Sequence, residues 1–568
     1  MKHIYIYLAA LLAVCGCSLE EDRESFADRE HSYQNMSQAE SVVKSVYGPA
    51  KLLFNSSSAM MMESATDLWT QNTSIVDATC NISPARSGQA SNIWKRCYNG
   101  VMRCNECIEC INASEHLDKS DALVLQAEAR VMRAFFYYYL TNVFDGVPFY
   151  TCMVKDMETL EMIRQLPRTD ASIIRQTLYE DLKENAIPYF TEENGQKRRT
   201  SEVKGNRAGY ALGLMLMAKF AMWNQDWSLA LEPLTELETL YGTLTESAYP
   251  LEETVWWKKN TNESIFEIQH EWQADGIQFT STVCTNYYPT IEADGTLDGV
   301  YMPEWGTELS SHTNVRASYR FGCFRPASGP VMEETTSSAY TSGIFRPLPL
   351  TYDTSAEPYN NRYRVKLDMN AIRKGEIKGQ KLDRRILYVL GLGNLETGET
   401  FDEVQRLGRP FAGRKFWIPN RTANYDSNNY KIFRYADAVQ MMAECYCMKG
   451  DLQKALEYLN YPRIRAGVEP YKLSEYSDNK SIMQLVRDER ARELAGELHR
   501  KFDLVRWGIW YDEVVRWTPN ETLKSNIRPY HEYYPIPDSE CAITGYILNN
   551  PAYEGIQDDD TVTETPEE

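Results

Sequence analysis

The sequence predicts a mainly α-helical fold, a scaffold of paired helices carrying one loop-rich, irregular lobe with short strands. Three observations predict it. First, two segments share one pattern, Ala218 to Leu234 and Ala443 to Leu459. In each, a helix closes on a tight turn, an aspartate (Asp226, Asp451) stands where an N-cap belongs, and a second helix opens with Ala-Leu facing inward. Second, Leu125, Ala129, Met132, Phe136, Leu140 and Val143 recur at spacings of three and four, which predicts one continuous apolar stripe on a helix. Third, Cys284 to Pro419 carries nine of the 24 prolines and no sustained period, so this stretch reads as loops and short strands.

The elements follow in chain order. Residues 1–17 read as a signal segment outside the fold, with Lys2 as the positive start and Ile4 to Val14 as an apolar stretch too short to span a bilayer. It closes on Val14-Cys15-Gly16-Cys17, which resembles a bacterial lipoprotein box. Cys17 is the expected lipidation site, because Gly16 is small whereas Val14 is β-branched. Residues 18–35, beginning Ser18-Leu19-Glu20-Glu21-Asp22, read as a surface tether, and the acidic cluster resembles a surface-export signal. One domain over 36–556 follows: helical 36–245, the loop-rich lobe 246–430, helical 431–515 and an extended segment 516–556. Within it, Ser37–Phe54, Asn92–Glu115, Ala171–Ile187 and Ile482–Trp510 all read as helical. Residues 557–568 form an acidic tail. The paired helices are of tetratricopeptide type, in which small alanines allow close approach. A lone pair cannot bury its apolar face, so further pairs must stack on these.

Composition removes some functions. Eighty acidic against 60 basic residues leave a net charge of −20, which disfavours nucleic acid, since phosphate binding needs Lys and Arg. The best basic run, Lys197-Arg198-Arg199, is short. Cys104, Cys107 and Cys110 lie on one predicted helix, but each step of three turns about 300°, so the third sulfur drifts off the first one's face. They read as small buried thiols, and no metal or cofactor is expected. Glu292 to Gly299 lacks the full calcium-loop spacing and reads as a polar turn. No nucleophile elbow, zinc-protease motif or phosphate loop is present.

Several short motifs then appear in a fixed order: Glu128 to Leu140 with Phe144 to Pro148, Glu263 to Ile268, Arg434 to Glu444, Asn460 to Gly467, Arg487 to Leu494 with Asp503 to Gly508, and Tyr534 to Pro537 with Asn549 to Tyr553. Together they resemble the SusD/RagB family of nutrient-binding outer-membrane lipoproteins over nearly the whole mature chain. Leu498 where the family usually has Gly, Pro462 inside the Asn460 motif, and Ala552 for Gly are departures. The motif residues read physically as framework: Glu489, Arg490 and Glu493 lie within one helical turn and are placed to lock neighbouring helices by ion pairs.

The resemblance implies a non-enzymatic protein. It captures oligosaccharides or polysaccharides at the outer membrane, anchored by lipid and facing outward, and passes them to a SusC-like TonB-dependent transporter. Peptide capture of the RagB type and a surface glycoside hydrolase are the alternatives. The family's ligand loops vary, so candidate contacts rest on position and chemistry. Asp67, Trp69 and Asn72 set an aromatic ring between polar groups. Arg86 lies in the turn from Pro84 to Gly88, and Tyr287, Tyr288 and Trp305 lie in the irregular lobe. Sugar C–H faces stack on aromatic rings, and sugar hydroxyls need such polar partners.

Overall fold

Pro49 decides where the first helix ends. It has no amide to bond the carbonyl four residues earlier, so the expected single helix over Ser37–Phe54 is two, α1 (Met36–Ser45) and α2 (Tyr47–Leu53), with Pro49 in the first turn of α2. This computed structural model describes most of residues 32–270, short stretches between 287 and 385, residue 415, and nearly all of 428–554.

Next come α3 (Ala90–Ala113) and α4 (Lys119–Phe144), a packed pair of long helices. Gly100 permits their close approach: a Cβ there would fall within the ring of Phe136. The expected single stripe on α4 understates its burial, for every residue from Val131 to Phe144 is buried. A helix apolar or aromatic all round lies inside a core, and α4 is the axis on which other elements pack. Cys104 and Cys107 are buried between the helices and Cys110 is half-buried, its Sγ 3.7 Å from the Met153 sulfur.

Then follow α5 (Met157–Arg164), α6 (Ala171–Asn185), α7 (Tyr210–Trp223) and α8 (Trp227–Tyr241). The second repeat unit is α9 (Tyr435–Met448) and α10 (Leu452–Arg465). Both aspartates cap as expected. Asp226 accepts from the Leu229 amide at 2.9 Å and Asp451 from that of Lys454 at 3.1 Å. Ala230 and Ala455 are fully buried, and α8 packs on α9, so the two hairpins stack on each other. The α10 helix continues through Pro462, which forfeits one backbone hydrogen bond.

Between the hairpins lies the irregular lobe. Its base is an antiparallel pair, β2 (Ser264–Ile268) with β10 (Tyr430–Arg434), every residue of which is buried. Antiparallel pairing also joins β3 (Tyr287–Ile291) to β4 (Leu297–Tyr301), β6 (Leu350–Asp353) to β7 (Arg364–Leu367), and β8 (Glu376–Ile377) to β9 (Gln380–Lys381). A further pair, β1 (Trp69–Gln71) with β5 (Val315–Ala317), ties the lobe to the N-terminal helices. Glu292 and Asp294 lie outside the described residues.

The expected helical run from Ile482 to Trp510 is three helices, α11 (Asn479–Glu493), α12 (Arg500–Arg506) and α13 (Trp510–Trp517). The first break falls at Gly496 and Leu498, with φ of 75° and 68°, and the second at Gly508, with φ of 67°. That left-handed backbone favours glycine, the residue the resemblance leads one to expect at position 498. Here leucine bears the strain, about 1–2 kcal/mol, while its side chain is buried and its amide donates to Glu63 at 2.6 Å. The closing segment, expected to be extended, contains α14 (Glu521–Asn526) and α15 (Asp538–Ile543). Asn520 caps α14 by accepting from the Leu523 amide.

An ionic centre joins lobe to helices. Arg434 meets Glu263 at 2.7 Å, Glu493 at 2.7 Å and Glu497 at 2.8 Å. Glu493 also holds Arg465 and, at 3.0 Å, Arg385. Arg385 bridges to Asp383 and Glu489, and Lys415 to Glu497 at 2.6 Å. Burial alone would raise these carboxyls. Arg465, Arg434 and Arg385 outweigh it and hold Glu493 far below the usual range, and Arg434 with Lys415 brings Glu497 down to about 2. Beside it, Arg490 pairs with Asp437 at 2.9 Å and Asp503 at 2.8 Å, and Lys219 with Asp437 at 2.7 Å. The motif residues Glu489, Arg490 and Glu493 thus lock neighbouring elements as their spacing suggests.

Candidate functional site

The C-terminal end of α4 begins a cleft. Asp145 takes a φ of 61° and turns the chain out of the helix. Val147 and Thr169 then exchange backbone hydrogen bonds at 3.1 and 2.9 Å. Arg168 pins the corner by donating to the carbonyls of Gly146 at 2.7 Å, Phe144 at 2.5 Å and Asn549 at 3.0 Å. Opposite, the amide of Tyr534 donates to the Val143 carbonyl at 2.7 Å, which draws the closing segment against α4. Asn550 fixes that segment to itself, accepting from the Ile536 amide and donating to the Ile536 carbonyl. Pro535 and Pro537 keep it from continuing any helix. The start of α13 supplies the remaining wall, where the Trp510 indole donates to the Ala65 carbonyl at 2.8 Å.

The space enclosed is about 770 Å³, within the usual size of small-ligand sites. Tyr511, Tyr530 and Tyr533 are half-buried in its walls. Asp145, Asp170, Asp512 and Glu532 bring carboxylates. Burial raises the Glu532 carboxyl, and the neighbouring Asp145 raises it further. Beneath the floor lies Lys501, 4% exposed, its ammonium 4.4 Å from the Tyr534 ring centre and 5.3 Å from that of Trp510. Burial brings it down to about 8, against the pull of Cys80, Asp77 and Glu532. Aromatic faces with acceptor groups between them are suited to bind polyhydroxylated or cationic molecules.

The described residues among those singled out from sequence lie elsewhere. Asp67 has no exposed surface, and its carboxylate takes the Arg500 guanidinium at 2.7 and 2.6 Å, so it braces the frame and cannot meet a ligand. Trp69 is 3% exposed in β1 and packs in the core, so its ring is not offered to a ligand. Arg86 is exposed, in the turn expected, and donates to Asn81 at 2.9 Å. Tyr287 and Tyr288 lie side by side in β3, opposite Tyr301 and Val300. Asn72 and Trp305 lie outside the described residues. The β1–β5 pairing brings the chain just after Trp69 to the lobe, but among the described residues the cleft draws on none of those singled out. Its only signal in the sequence is the density of tyrosines after Trp510, among 37 in the chain. Among the described residues, no group of three or more His, Cys, Asp or Glu is poised to hold a metal, and no helix is long and apolar enough to cross a membrane.

Residues 413–553 match the family described as SusD family, and residues 20–185 the family described as starch-binding associating with outer membrane. A SusD-like protein, P25, from Formosa agariphila is 24% identical over 579 residues, covering 97% of this chain and 98% of its own. A SusD-like protein from Bacteroides fragilis superposes with a TM-score of 0.63 at 17% identity, over 93% of this chain and 98% of its own. Surface glycan-binding protein A from Bacteroides thetaiotaomicron superposes with a TM-score of 0.57 at 17% identity, over 91% and 100%.

Proposed function

The chain belongs to the SusD/RagB family, and from that premise we propose that it is a glycan-capturing lipoprotein of the outer membrane. On this reading Cys17 carries the lipid, the acidic segment after it leads the protein to the cell exterior, and a SusC-like TonB-dependent transporter receives the cargo. More than one acyl chain gives lasting attachment, since one alone holds only marginally. The similarity to the surface glycan-binding protein of B. thetaiotaomicron supports a carbohydrate ligand here.

The observation that carries the reading is the tyrosine-walled cleft of about 770 Å³. Tyr511, Tyr530 and Tyr533 are half-buried along the cleft, the Tyr530 ring braced edge-on by His531 and Tyr553, and such rings suit sugar C–H faces while their hydroxyls suit sugar oxygens. A few such contacts give modest affinity, and a polymeric glycan gains by engaging many copies. The net charge of −20 favours neutral or cationic glycans over uronic or sulfated ones.

The test is a glycan array probed with the soluble chain starting after Cys17, followed by calorimetry. Tyr511→Ala or Tyr530→Ala is expected to weaken any hit at least tenfold. Binding that survives both moves the site to Arg86 and the lobe. A broad array with no hit moves the cargo to peptides. One observation favours a hydrolytic reading: Glu532, its carboxyl raised by burial and by Asp145, has the character of a general acid. Sustained product release from a bound glycan would replace capture with catalysis.

A further inference from the structure

We infer that a hollow beside the cleft is a second saccharide subsite, so that the protein grips a stretch of glycan chain across two sites. The inference rests on the reading of the cleft as a glycan site and adds the length of ligand it takes.

The hollow opens where the first helical hairpin turns. It encloses about 570 Å³ between α6 and the α7–α8 turn, with Ile173, Arg175, Gln176, Trp223, Asn224 and Gln225 in its lining. Asp170 stands in the wall of the cleft and Ser172 in that of the hollow, so the two spaces meet within one turn of α6. Trp223 also packs on the buried cluster of Leu504 and Trp510, against which the cleft residues Tyr511 and Tyr533 pack.

Two buried polar atoms of this lining lack partners among the described residues. Arg175 is 5% exposed and lies 4.4 Å over the Trp223 ring. Its Nη2 donates to the Thr141 carbonyl at 3.2 Å, while its Nε–H is buried without an acceptor. Asn224 donates from Nδ2 to the Ser172 carbonyl at 2.9 Å, which fixes the orientation of its amide. The Asn224 Oδ1 is thereby committed to the other side, where it is buried without a donor. Buried polar groups are ordinarily paired, and each left unpaired costs about 1–3 kcal/mol.

One orphan is a donor and the other an acceptor, which narrows the ligand. A carboxylate only accepts and leaves Asn224 unserved, and an ammonium only donates and leaves Arg175 unserved. A hydroxyl does both, and a neutral sugar carries several. The half-buried indole of Trp223 adds apolar surface for sugar C–H groups, as the tyrosines do in the cleft. Water also donates and accepts, but it gains nothing from the indole. A chain already held in the cleft meets the hollow at a high effective concentration, so weak contacts in the two spaces multiply.

The test uses an array of neutral glucan, mannan, galactan and xylan oligomers, each as a trimer and as a hexamer, with calorimetry on the pairs that bind. The hexamer is expected to bind at least tenfold more tightly than its trimer, more than the additional registers of a longer chain supply. Asn224→Ala, which removes the orphaned acceptor, and Ile173→Trp, which fills the hollow, are each expected to bring the ratio of the two affinities toward one. Ile173 is 58% exposed, so that variant keeps the test alive if Asn224→Ala does not fold. Equal binding of trimer and hexamer, lost together in Tyr511→Ala, would assign the orphaned groups to water and leave the cleft a glycan site. A hexamer advantage that survives both hollow variants would equally refute the subsite. Hits indifferent to Tyr511→Ala and to the hollow variants, or no hit at all, would overturn the subsite together with the reading of the cleft.

Discussion

Replacing Glu493 by Gln removes one charge from a place where water cannot compensate. Its side chain is 1% exposed, and its two oxygens serve Arg434 at 2.7 Å, Arg385 at 3.0 Å and Arg465. Glutamine keeps the shape but presents an amide N–H to guanidinium groups that can only donate. Breaking a buried pair by removing one partner costs about 3–5 kcal/mol, because the remaining charges stay buried. Glu263, Glu489 and Glu497 still neutralise part of the excess, so the lower half of that range, about 3–4 kcal/mol, is expected. The assay is denaturant unfolding of the soluble chain, with Arg465→Met and the double variant alongside. If the charges act on each other, the double variant loses less than the two single losses added together. A loss under about 1 kcal/mol, or strict additivity, would refute the view that this centre holds the lobe to the helices.

Acid should unfold the protein in two windows. His499 is brought down to about 4 by burial and Lys219, against Asp437, so its contribution is complete above pH 6.5 and is lost as pH falls from 6.5 toward 4, up to about 3 kcal/mol. Glu497, lowered to about 2, contributes fully above pH 4.5 and loses that as pH falls toward 2. Stability measured against pH should show both, and His499→Phe should flatten only the first. Gly100→Ala forces a methyl group into the Phe136 ring and is expected to cost about 1–3 kcal/mol, read as a lowered melting temperature. Asp226→Ala and Asp451→Ala each remove an N-cap and should cost about 1 kcal/mol in the same assay.

What could be read in the sequence was what local rules determine. Asp226 and Asp451 cap because an aspartate before an amphipathic run can reach back to a free amide, and no distant partner is needed. Glu489, Arg490 and Glu493 showed their framework role through spacing alone, yet Arg385, which answers Glu489 and Glu493, and Lys415, which answers Glu497, lie in a stretch without period. Asp67 and Trp69 show the opposite failure. An aspartate and a tryptophan two positions apart suit a sugar site and a sealed core equally, and burial against Arg500 decides for the core. The cleft was illegible for a further reason. Its walls come from segments near 145, 169, 511, 532 and 552, and only tertiary packing brings those tyrosines to one space.

The ionic centre also sets an order of events during biogenesis. Glu263 finds Arg434 and Arg465 only 171 and 202 residues further along the chain. At a synthesis rate of about 5–20 residues per second, a chain emerging N-terminus first leaves that carboxylate without its partners for on the order of ten seconds or longer. Until the last third of the polypeptide appears, the first hairpin has no second hairpin to stack on and the lobe has no closed base. Cooperative completion must therefore wait for residues beyond Glu493. Nascent chains cut off before that point should remain protease-sensitive throughout, with the early helices gaining protection together with the late ones.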